Sequence, residues 1–108
     1  MKSSCYVLLT TFPNRTAARR VASALLKKRL VACVHLAAAG ESHYWWKGKL
    51  EKAGEIAATF KTAKKTLSLA IQNLKQLHPY EVPEILALRV EAGNADYLRW
   101  VQKETRTF

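Results

Sequence analysis

The sequence predicts an α+β domain: an antiparallel sheet carrying its helices on one face. Two observations predict it. Extended runs of β-branched, aromatic and leucine residues alternate with segments of helical period, in the order β, α, β, β, α, β and a further helix. The two central extended segments are joined by a short link carrying Lys47-Gly48, which suits an antiparallel hairpin. At 108 residues the chain is one domain, spanning 1–108.

Cys5 to Thr11 reads as the first strand, ended by Pro13-Asn14. Asn14 suits the cap of the next helix, because its side-chain oxygen accepts an orphan backbone N–H. Ala18, Val21, Ala22 and Leu25 recur on one helical face. Lys27, Lys28 and Arg29 close that helix, where cations meet the negative end of its dipole. Val31 to Trp46 is a long extended stretch with an expected bend at Ala39-Gly40. Leu50 to Thr62 returns, with Ile56, Ala58 and Phe60 alternating against Glu55, Thr59 and Lys61. Gly48 supplies the positive φ that a tight turn needs.

Leu67, Ala70, Ile71, Leu74 and Leu77 hold the helical period until Pro79 stops it, leaving His78 at the junction. Glu84 to Val90 is expected as the last strand. Asn94 then caps a terminal helix carrying Tyr97, Leu98, Trp100 and Val101. This is the ferredoxin-like βαββαβ pattern with a C-terminal helix. Helices on one face leave the other to solvent or a partner.

The formal charge is +10, from 18 Lys and Arg against 8 Asp and Glu. The cations are spread along the chain, and none of their runs is long enough to read as a nucleic-acid-binding tail, so nucleic acid is not the expected partner and its binding by the basic surface stands as the weakest alternative. No stretch approaches the ~20 apolar residues of a membrane span. Met1-Lys2 precedes a short apolar run, but Thr10-Thr11 and Pro13 break it and no small-residue cleavage site follows. The expected location is cytoplasmic, with Cys5 and Cys33 reduced.

Four segments carry a family resemblance: Arg29-Leu30-Val31-Ala32-Cys33-Val34, Tyr44-Trp45-Trp46-Lys47-Gly48-Lys49, His78-Pro79-Tyr80-Glu81-Val82-Pro83-Glu84-Ile85, and Gly93 to Trp100. In order and spacing they resemble the CutA divalent-cation-tolerance family, from the first strand to about Trp100. The resemblance implies a homotrimer built by edge-to-edge sheet pairing, similar in architecture to the PII signalling proteins. It also implies a role in tolerance to copper and other divalent cations, and no defined catalysis. Cyclic pairing of three copies would cover the strand edges of the long hairpin.

The same resemblance guides the metal reading. Ligation in the family is linked to a cysteine late in the first strand and to histidines before the proline of the His-Pro-Tyr motif. Here Thr10 stands at the first position and Leu77 at one of the second, so His78 alone remains of that set. A single imidazole holds copper or zinc weakly, since such sites take three or four ligands. Its structural alternative is to end the helix with a ring nitrogen bonded to backbone. Cys33 and His35 share one face of a strand and offer a thiolate and an imidazole, although the family usually has Asn at His35. Cys33 packed as a small hydrophobe is the structural alternative.

Three other features are weighed. Tyr44, Trp45 and Trp46 beside Lys47 and Lys49 could stack on bases, but the RNA-recognition signature of glycine-interleaved aromatics is absent, and packing at a subunit interface is the expected role. Glu81 and Glu84 beside Tyr80 would make an acid–base pair only in a pocket. Thr10 and Thr11 before the first helix could hold a small anion, in a PII-like signalling or scaffold role. No nucleophile triad or phosphate-binding loop appears.

Overall fold

The computed structural model describes residues 4–106; the charged start at Met1-Lys2 lies outside them. Strands β1 (Cys5–Phe12), β2 (Cys33–Trp46), β3 (Lys49–Ala63) and β4 (Leu86–Arg89) form one antiparallel sheet in the order β2-β3-β1-β4. Helices α1 (Arg15–Lys27) and α2 (Lys64–Leu77) cover one face. Helix α3 (Ala95–Glu104) follows β4.

The alternation read from sequence sets the core. Leu8 and Phe12 of β1 and Ile56, Ala58 and Phe60 of β3 point to the helices and are buried with Ala18, Val21, Leu25, Ala70 and Leu74. Asn14 caps α1 by accepting the Ala17 N–H at 2.8 Å. Arg29, at φ 60°, ends that helix in the left-handed region. Lys47 and Gly48 both take positive φ, as a two-residue hairpin turn requires. Beneath the first loop, Thr62 Oγ1 donates to the Leu30 carbonyl at 2.7 Å and meets Thr66 Oγ1 at 2.9 Å, so both buried hydroxyls are satisfied.

Three details differ from the sequence reading. The irregularity in β2 lies between Leu36 and Ala39, just before the expected bend. There, β2 advances three residues while β3 advances two, from Ala58 to Ile56, which is a β-bulge. The last strand is shorter than Glu84 to Val90. It begins at Leu86, because the Thr11 carbonyl further along the β1 edge already accepts from the His78 imidazole. Finally, α3 packs across the sheet face turned away from α1 and α2. Its Tyr97 hydroxyl lies 3.4 Å from Cys33 Sγ, and its Leu98 carbonyl accepts from the Cys5 thiol at 3.5 Å.

The hairpin of β2 and β3 outruns the rest of the sheet. Pairing of β1 with β3 stops at Phe12↔Ile56, whereas β2 and β3 continue from Gly40↔Glu55 to Trp46↔Lys49. Seven residue pairs therefore project as a two-stranded arm roughly 23 Å long. Leu50 and Trp45, directly opposed on it, are 66% and 73% exposed.

Candidate functional site

Where the arm leaves the sheet, a cleft of about 560 Å³ opens against the loop after α2. The bulge decides what enters it. Its extra residue reverses the alternation of β2, so that Ser42, Tyr44 and Trp46 share the face of Glu55. Those residues form one wall, and Tyr80, Glu81, Val82 and Glu84 form the other. Tyr80 closes the base: its hydroxyl donates to Glu55 Oε2 at 2.6 Å. Desolvation, and then that bond and the charge of Glu55, push the Tyr80 phenol well above its usual range, so it stays a donor.

His78 holds this loop in place. Its Nδ1 accepts the Tyr80 N–H at 3.1 Å, which makes Nε2 the protonated nitrogen. Nε2–H then donates to the Thr11 carbonyl at 2.8 Å, with Thr10 Oγ1 at 3.2 Å. The ring stacks on Phe12 at 4.6 Å between centroids. Burial holds the imidazole pKa below 6.5 and outweighs the Thr11 bond and the Glu55 charge, which both raise it. A neutral histidine with both nitrogens engaged acts here as the pin between β1 and the loop.

The other expected residues lie elsewhere. Cys33 and His35 do share a face, the one opposite α1 and α2, and His35 is exposed. The Cys33 contact and burial raise the Tyr97 phenol to about 12. Thr10 is buried against His78, so its hydroxyl serves the fold instead of an anion. Glu81 and Glu84 do line a cleft, together with Glu55, whose partnership with Tyr80 had no local signal across 25 positions of chain. Three carboxylates make this cleft attract cations and repel anions. Among the described residues, no three His, Cys, Asp or Glu side chains converge as metal ligands, so one chain does not form a closed transition-metal site.

A family model described as CutA1 divalent ion tolerance protein matches residues 6–104. The chain belongs to the CutA1 family. A CutA1 relative, the divalent-cation tolerance protein CutA of Pyrococcus horikoshii, is 40% identical over 93% of this chain and 97% of its own length. Protein CutA 1, chloroplastic, of rice is 37% identical over 93% of this chain, which spans only 56% of that protein. The crystal structure of CutA from Xylella fastidiosa superposes with a TM-score of 0.93 at 36% identity, covering 96% of this chain and 100% of that one. In this CutA1 chain, the His78–Ile85 segment that carried the resemblance supplies both the pin and one wall of the cleft.

Proposed function

We propose that this chain serves divalent-cation tolerance as a cytoplasmic homotrimer that engages copper or another divalent cation weakly and transiently, as cargo, without catalysis. The observation that carries the reading is the cleft. In a chain of charge +10, three of the eight acidic residues gather there, with Tyr44, Trp46 and Tyr80 beside them. Carboxylate and phenol oxygens suit a hard or borderline cation. Cys33 and His35 form a second, softer donor pair on the sheet face that α3 partly covers. His78 contributes by fixing the loop, since ligation would cost it the Tyr80 or Thr11 bond.

The trimer reading rests on the projecting arm and on two unmatched sheet edges, β2 and β4. Unpaired edges of unlike length favour a head-to-tail contact, β2 of one copy to β4 of the next, which closes as a ring. Among the described residues, no helix is long and apolar enough to cross a membrane.

Calorimetric titration of copper into the purified protein tests the reading. Saturable binding weakened severalfold by Glu81→Gln with Glu84→Gln places the cation in the cleft. Loss on His35→Ala instead moves it to the Cys33 and His35 pair. Absence of saturable binding in the unmodified protein would refute the direct role of metal.

A further inference from the structure

The cations look evenly spread along the sequence, but the fold sorts them. Half of the 18 basic residues fall within 15–29 and 64–77, the segments of α1 with its closing turn and of α2. Neither segment contains an Asp or Glu, and neither do the flanking stretches 13–40 and 56–80. Every acidic residue lies in the arm, around the cleft or after β4. The helical layer is therefore a face of one sign.

Among the described residues, five of its nine charged side chains have no hydrogen-bond or ion-pair partner in the fold. Arg19, Arg20, Lys27, Lys64 and Lys75 are exposed, and among the described residues none forms an ion pair. Of the basic residues in these two segments, only Arg29 meets a carboxylate among the described residues, that of Glu104. Lys28 reaches the neutral Asn73 amide at 2.8 Å and so sits on the seam between the two helices. Arg15 donates to the Ala37 carbonyl at 3.0 Å and Lys65 to the Gln102 carbonyl at 2.8 Å. Lys64 stands at the first position of α2, with no acidic residue in that first turn. A cation there opposes the helix dipole. Fold stability does not account for Arg19, Arg20 or Lys64; a polyanion laid over the layer would.

We infer that this face binds the phosphate backbone of double-stranded nucleic acid without reading its sequence. Charge complementarity names a polyanion, and the rest of the surface narrows it. Among the described residues, the exposed aromatic side chains, Tyr44, Trp45, Trp46, Tyr97 and Trp100, all lie off this layer. The face thus has no stacking platform for single strands and no aromatic anchor for a lipid headgroup region. From Lys64 to Lys75 the layer runs about 17 Å along α2, the length of roughly five base pairs. The occupant is a rigid duplex held through its phosphates.

Fluorescence anisotropy with a labelled 20-base-pair duplex tests this on the full chain in its native assembly. With four phosphates engaged, log affinity falls against log salt with a slope of about −3.6, roughly 150-fold between 50 and 200 mM. Arg19→Gln with Lys27→Gln lowers the slope by about 1.8 and the affinity by at least about tenfold at 100 mM salt. Lys52→Gln with Lys103→Gln removes the same charge away from the layer and changes affinity less than about twofold. Both pairs are exposed, and far-UV circular dichroism verifies that each remains folded. Equal weakening by the two pairs would reduce the effect to net charge and overturn the inference. So would tighter binding of single strands, preferential uptake by phosphatidylserine vesicles, or no duplex binding at 50 mM salt.

Discussion

Replacing Trp45 with Ser tests whether the projecting arm exists to be covered. Trp45 is 73% exposed, and a tryptophan buries about 200 Å², so roughly 150 Å² of it awaits a partner. Full coverage at ~25 cal/mol per Å² would be worth about 4 kcal/mol, and half coverage about 2. In a trimer the loss counts three times, about 6 kcal/mol per assembly. The midpoint concentration follows the square root of the trimer dissociation constant, so it rises as 3 kcal/mol would dictate, on the order of a hundredfold. The isolated fold should hardly notice, since an exposed substitution stays within about 0.5 kcal/mol. Sedimentation velocity over a dilution series reads the midpoint directly. A single-copy species for the unmodified protein at tens of micromolar would refute the argument. An unmoved midpoint for Trp45→Ser would refute the area estimate.

Two further outcomes follow from the pin beneath the cleft. Phe12→Ala removes a fully buried ring stacked on His78 and should cost about 3–5 kcal/mol, lowering Tm by about 15 °C or more in a thermal melt. His78 is held below its ordinary 6.5, so the unfolded chain binds the proton more readily than the folded one. Stability from this group is complete above pH 6.5 and falls as pH drops towards the folded value, by at most about 1.4 kcal/mol per pH unit per chain. Urea unfolding at pH 7.5 and 5.5 should show the loss, and His78→Gln should flatten it; an equal loss in the variant would assign it to other groups.

Much of this was legible in the chain. Asn14 and Asn94 both accept backbone N–H groups where capping chemistry placed them, and Lys47-Gly48 makes the turn its composition allows. These are local effects, decided by side chains a few residues apart. What the sequence hid was long-range. The start of β4 at Leu86 depends on His78 having taken the Thr11 carbonyl. The cleft depends on Glu55 meeting Tyr80 across the sheet, and the one-signed helical layer on two distant segments lying side by side. His78 drew attention as a ligand, whereas its neighbours make it a fastener.

The bulge between Leu36 and Ala39 also governs the direction in which the arm leaves the sheet, because an extra residue bends its strand and tightens the local twist. Deleting Ala38 would remove that bend and leave every pair from Ala39↔Ile56 to Trp46↔Lys49 in place. Ser42, Tyr44 and Trp46 would keep the face of Glu55, since the register with β3 decides it, while the angle between the arm and the loop after α2 would change. For anyone grafting or trimming this hairpin, chain length at that point is an aiming device: one residue alters the width of the cleft and leaves its lining as it is.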